Sequence, residues 1–146
     1  MHSVPSEIDW ENYTEDLDTN YAHNLFIGKT NEQMLAEYKN LVLARSEDIF
    51  WMPKIPFQYY IFGFRDFVIR RDFGLCENSD AASSFLNLII YKLENQPDFI
   101  LQVLPELLKD IEYISNNQVL YEADEDIYGN FKEKFQIIQK LSKQNS

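Results

Sequence analysis

Between residues 81 and 114 this chain sets apolar side chains three and four apart almost without pause. Phe85, Leu86, Leu88, Ile89, Ile90 and Leu93 cover most of a helical circumference over 81–95. A helix that is apolar nearly all round must be enclosed by other elements, so this segment predicts a central, buried helix. Residues 98–115 repeat the spacing with Ile100, Val103, Leu104, Leu107, Leu108, Ile111 and Ile114. Pro105 lacks a backbone donor and predicts that this second helix is kinked or divided at Leu104.

Further helices follow from the same periodicity. Thr30-Asn31-Glu32-Gln33 has the form of a capping box, in which Thr30 and Gln33 satisfy each other's free N–H groups. Met34, Leu35, Tyr38, Leu41, Val42 and Arg45 then share one stripe, which predicts a helix over 31–46. Residues 48–57 contain Pro53 and Pro56 and predict an apolar connector. Pro56 suits the first turn of a helix running to about Asp72, with Phe57, Tyr60, Ile61, Phe64, Phe67 and Val68 on its stripe and Asp66 paired with Arg70. Gly74 closes that element, and Asn78, Ser79 and Asp80 supply caps for the next. Phe131, Phe135, Ile138 and Leu141 mark a last helix before a polar tail at 142–146. With no period-2 alternation to favour a strand pair, the reading is an all-α bundle of five to six helices, in which a solenoid-like pairing is also open.

The N-terminal stretch 1–28 is read as an acidic arm or marginal helix. Ser6-Glu7-Ile8-Asp9 resembles a capping signal, and Trp10, Tyr13, Leu17 and Tyr21 follow at helical spacing. Against this stand the like-charged pairs Glu7/Glu11 and Glu11/Glu15, each worth about 0.2–0.5 kcal/mol of repulsion in an isolated helix.

A chain of 146 residues with 45% hydrophobic residues is the size of one domain and can bury a core despite a net charge of −11. Four Gly and five Pro are too few for the turn-dense pattern of an all-β sandwich. The single cysteine, Cys76, makes an internal disulfide framework impossible and fits a reducing compartment. The first residues lack a basic and apolar leader pattern, and no apolar run nears the roughly 18 residues of a membrane span. The expectation is a cytoplasmic protein without a membrane anchor.

Catalytic chemistry finds few carriers here. Nucleophilic catalysis wants a Cys or Ser beside a His base, and the only histidines are His2 and His23, both in the acidic arm. Gly63 and Gly74 stand alone, so no phosphate-cradling loop is present. The best cation candidate begins at Glu122. Counted as a calcium loop, Glu122, Asp124, Asp126, Asn130 and Glu133 fall at positions one, three, five, nine and twelve, but Ile127 occupies position six, where the turn requires Gly. No catalytic residue, cofactor or metal is therefore expected. Arg65, Arg70 and Arg71 form a small basic group, and the plainer reading pairs them with neighbouring carboxylates.

The acid itself is concentrated. Twenty-four Asp and Glu stand against thirteen Lys and Arg, with Glu7 to Asp18 and Glu122 to Asp126 as the two dense stretches. Such stretches repel nucleic acid and anionic membrane and attract basic protein surfaces. Tyr121, Glu122, Asp124, Glu125, Asp126 and Tyr128 are the candidate contact residues, tyrosines flanking charge as interface anchors do. In size, acidity, single-domain build and lack of catalytic residues, the whole chain resembles bacterial immunity proteins of the contact-dependent or polymorphic toxin type. That resemblance is one of overall profile, and it implies a non-catalytic inhibitor of a basic cognate toxin. The alternative is a small-ligand binder or enzyme with a site between helices lined by the aromatic 50–67 region.

Overall fold

A computed structural model describes residues 3–145, so the readings that touch Met1, His2 and Ser146 lie outside the described residues. Among the described residues the chain is all helical and carries no strand. These described residues form eight α-helices: α1 (Leu17–Phe26), α2 (Asn31–Phe50), α3 (Lys54–Arg70), α4 (Asn78–Asn95), α5 (Pro97–Ile100), α6 (Leu104–Ser115), α7 (Glu125–Tyr128) and α8 (Phe131–Gln144). The excess over five to six comes from α5 and α7, single turns of four residues, and from α1. A single turn carries no periodic stripe, which is why α5 and α7 leave no mark in the apolar pattern.

α3 and α4 form the centre. α3 packs against α2, α4, α5 and α6, and α4 packs against α8, α2, α5 and α3. Their inward rings make one continuous buried cluster with the other helices. Phe57, Tyr60, Phe64 and Phe67 of α3 are fully or almost fully buried. Tyr38 of α2 stacks on Phe64 at 5.5 Å, and Phe64 meets Phe85 of α4 edge to face at 5.4 Å.

Local chemistry sets the helix ends. The Thr30 hydroxyl accepts from Gln33 N–H at 3.1 Å and the Gln33 side chain accepts from Thr30 N–H at 2.8 Å. Pro105 does divide the second apolar run, but the break falls at 101–103 and the proline stands in the first turn of α6, where its missing N–H costs nothing. The connector predicted over 48–57 shrinks to 51–53, because α2 runs on to Phe50 and Pro53 caps α3. α3 ends at Arg70, with Arg71 in the left-handed conformation rather than a glycine closing it.

The N-terminal stretch, read as an acidic arm or marginal helix, is built of short turns followed by α1. Two 3-10 turns, Glu7–Trp10 and Tyr13–Glu15, precede α1, and Glu11 between them has φ 55°. This bend interrupts the Glu7/Glu11/Glu15 ladder of like charges and turns Trp10 fully inward. The Trp10 ring meets His23 edge to face at 5.3 Å, Tyr13 stacks on His23 at 3.6 Å, and His23 Nε2 lies 2.8 Å from a Glu7 carboxylate oxygen. Leu17 and Tyr21 remain exposed, so only the first half of the aromatic face docks.

Lys92 of α4 is the least expected core residue, at 1% exposure. Its ammonium donates to the Phe50 carbonyl at 2.8 Å and to Gln96 Oε1 at 2.6 Å, and it lies 4.8–5.1 Å from the rings of Phe50, Phe57 and Phe99. Burial pushes its pKa down to about 8 from 10.5, opposed by the more distant Asp98 carboxylate. Between pH 8 and 10 the unfolded chain therefore holds a proton that the folded chain has lost, and stability rises with pH by up to about 1.36 kcal/mol per unit. Above pH 10 the buried hydroxyls of Tyr38, Tyr60 and Tyr121, all pushed up by burial, act in the opposite sense. Denaturant titration at pH 7.5, 8.5 and 9.5 should show that rise, and Lys92→Met should flatten it.

Candidate functional site

The acidic segment is a chain of caps. The Asp124 carboxylate accepts from Asp126 N–H at 2.9 Å and starts α7. Gly129, at φ 79°, ends it, and the Asn130 side chain accepts from Glu133 N–H at 3.0 Å to start α8. Gln118 holds this path to the body of the molecule. Its Nε2 donates to the carbonyls of Ala123 and Gly129 at 2.9 and 2.8 Å, and its Oε1 accepts from Phe131 N–H at 2.9 Å. One side chain thus satisfies three backbone groups, and the carboxylates ride on a fixed backbone.

The six candidate contact residues do not share one surface. Glu122, Asp124, Glu125 and Asp126 are exposed. Glu122, at φ 54°, accepts from Asn78 Nδ2 at 3.0 Å, and Glu125 accepts from Asn130 Nδ2. Among the described residues none of the four forms an ion pair. Tyr121, by contrast, is fully buried beside Phe73 and donates its hydroxyl to the Val68 carbonyl at 3.0 Å. Tyr128 is half-buried, accepting from Ser79 Oγ and donating to Asp80, and it pins α7 to the first turn of α4. The tyrosines are anchors to this chain's own core. Among the described residues no three His, Cys, Asp or Glu side chains converge as metal ligands.

Of the three arginines, Arg65 and Arg70 resolve into pairs. Arg65 reaches Asp66 at 2.8 Å and Asp110 at 3.1 Å. Arg70 reaches across to Glu32 of α2 at 3.1 Å instead of pairing with Asp66 on its own helix. The Cys76 thiol is half-buried, and burial raises its pKa, which disfavours the reactive thiolate.

Beside α7 lies a second feature. α2 and α4 leave an open valley between them, made of three hollows that share lining residues. The central one, about 430 Å³, is walled by Leu43, Glu47, Phe50 and Trp51 on one side and Ser84, Asn87 and Tyr91 on the other. Towards α7 it continues past Asp80 and Ser83 to Ile127 and Tyr128, and at the far end past Met52 to Asn95 and Gln96. Leu43 is 55% exposed, Ile127 73%, Tyr91 42% and Trp51 38%. Phe50 holds the rings together, 5.0 Å from Trp51 and 4.5 Å from Tyr91.

Sequence reasoning gave this valley no signal of its own. Leu43 and Tyr91 lie off the buried stripes of their helices, and isolated off-stripe apolar residues are ordinary on protein surfaces. Within the aromatic 50–67 region, Phe57, Tyr60, Phe64 and Phe67 fill the core, and Phe50, Trp51 and Met52 line the valley. Among the described residues no helix is long and apolar enough to cross a membrane. No family model matches this chain, and no curated protein or solved structure matches it either.

Proposed function

We propose that this chain is a non-catalytic binding protein of the immunity type, which neutralises a basic cognate toxin in the cytoplasm through its acidic surface. The observation that carries the reading is the state of Glu122, Asp124, Glu125 and Asp126. All four are exposed, none is in an ion pair among the described residues, and they sit on a backbone fixed by Gln118 and two helix caps. Apart from the Asp124 cap on α7 and the hydrogen bonds from Asn78 and Asn130, these like charges held close together repel one another and are available to a cationic surface. Carboxylates so placed act mainly on the rate of encounter, and salt screens them over about 8–10 Å at physiological strength.

The test has two steps. A toxin-encoding reading frame beside this gene should arrest growth when expressed alone, and co-expression of this chain should relieve the arrest. Replacing Glu122, Asp124, Glu125 and Asp126 together by Gln or Asn should then slow association with that toxin and flatten its salt dependence. The melting temperature should stay equal or rise slightly as local repulsion is relieved. A variant that associates and protects like the parent, with the same salt slope, would remove 122–126 from the contact surface and leave the arm from Glu7 to Asp18 as the next surface to test.

A further inference from the structure

We infer that the valley between α2 and α4 is the docking groove for one amphipathic helix of the partner, with its apolar face on Leu43, Trp51 and Tyr91 and its Lys or Arg side chains towards α7 and Glu47. The inference rests on the proposed binding of a basic protein and names how that protein is held.

Three features of the valley select this occupant. Its length comes first. From Asp80 to Asn95 the α4 wall spans sixteen residues, about 22 Å at 1.5 Å per step, which matches about four turns of a helix. Its cross-section comes second. Ser46, Ser83 and Ser84 lie along the floor with one larger residue, Leu88, while the more exposed Trp51, Tyr91 and Leu43 stand on the rims. A floor of mostly small residues lets a third helix approach two others closely, and large rings on the rim close around its apolar face. A peptide bound as an added β-strand would need a sheet edge to pair with, and no strand is present among the described residues.

Charge is the third feature. Among the described residues no Lys, Arg or His lines any of the three hollows, whereas Glu47 and Asp80 do. The carboxylates of 124–126 flank Ile127 at one end of the valley. Lys134 of α8 reaches the rim, donating to Asn87 Oδ1 at 2.8 Å, and is outnumbered there. Lys92 lies beneath the far end, sealed under Phe50, and faces the core. The net field in the valley is negative, so a helix with a basic outer face is drawn in and an acidic one is turned away. The Phe50–Trp51–Tyr91 group is already assembled, so little side-chain freedom is lost when it is covered.

The experiment uses the full chain and three synthetic 18-residue peptides as probes. The first is built of Leu and Lys with Leu at helical spacing, the second has the same composition in scrambled order, and the third is a Leu/Glu analogue of the first. Binding kinetics are measured for the parent, for Leu43→Ser/Tyr91→Ser, for Leu75→Ser as an exposed apolar control elsewhere, and for the four-fold 122–126 charge variant. Circular dichroism and melting temperature check that each is folded. The parent should bind the amphipathic Leu/Lys peptide about tenfold or more tightly than the scrambled one and reject the Leu/Glu one. Leu43→Ser/Tyr91→Ser should lose that preference, chiefly through faster dissociation, and Leu75→Ser should retain it. The charge variant should associate more slowly. If the groove variant binds like the parent, or the scrambled peptide binds equally well, groove docking is refuted. Should the charge variant still bind more slowly in that case, the acidic-surface reading survives alone. If neither variant differs from the parent, both fall.

Discussion

Arg45→Met should destabilise the protein by about 3–5 kcal/mol at pH 8 and by distinctly less at pH 5. Arg45 is almost fully buried in α2, where its Nε donates to Asp48 at 2.7 Å and its Nη1 to Glu37 at 3.3 Å. Burial pushes the Asp48 carboxyl up to about 6 even though Arg45 pulls it down, so desolvation outweighs the attraction of its partner. The sign follows. A carboxyl whose folded pKa lies above its ordinary 3.8 contributes stability below that value, and the contribution is lost as pH rises through about 6. Above pH 6 the ionised carboxylate is tolerated because Arg45 faces it. Methionine keeps the volume and removes the charge, which leaves a lone buried carboxylate at pH 8 and a neutral acid at pH 5. Denaturant unfolding at both pH values measures the difference. An equal loss at the two would show that packing, not charge, is what Arg45 supplies. Against the 5–15 kcal/mol of a typical domain, the expected loss is a large share.

Gly63→Ala should also destabilise, by about 1–3 kcal/mol, although alanine is the better helix former by about 0.8–1.0 kcal/mol. Gly63 is where α3 touches the first turn of α2. A Cβ there would lie 2.2 Å from Asn31 Oδ1, 2.5 Å from its Cγ and 2.8 Å from its Cβ. Asn31 has little freedom to withdraw, since its Nδ2 donates to the Tyr59 carbonyl at 3.1 Å and its backbone N–H donates to the Tyr59 hydroxyl at 3.2 Å. For a chain of this size each kcal/mol lowers the melting temperature by roughly 2–4 °C. Asn31→Ala removes the two nearest atoms, so the double variant should recover part of the loss and be clearly non-additive. A Gly63→Ala protein that melts higher than the parent would mean that α2 and α3 separate easily at this point.

How far the sequence discloses this molecule depends on whether neighbours in the chain are also neighbours in space. Thr30 and Gln33 satisfy each other within one turn, so the start of α2 can be read directly from four residues. Pro105 reports a division but not its place, because the turn at Pro97–Ile100 is set by how α4 ends. Arg70 shows the limit most clearly. Its i−4 partner Asp66 is available by spacing, yet Arg65 takes that carboxylate and Arg70 crosses to Glu32 on another helix. Tyr121 flanks four carboxylates in sequence and belongs to the core in space, since the bend at Glu122 turns its neighbours outward. The valley is a property of two helices together, and neither Leu43 nor Tyr91 carries a mark of it alone.

The two tryptophans divide the molecule optically. Trp10 is sealed inside the N-terminal arm against His23, while Trp51 stands at the mouth of the valley in partial contact with solvent. Indole emission shifts to shorter wavelength when water is removed, so the parent spectrum is the sum of a blue component from the arm and a redder one from the valley. In a Trp51→Phe chain the remaining emission reports undocking of the arm and ignores events at the valley. In a Trp10→Phe chain it reports occupancy of the valley and ignores the arm. The same protein therefore contains two separable reporters, one for the integrity of its N-terminal end and one for the surface between α2 and α4, with no added dye.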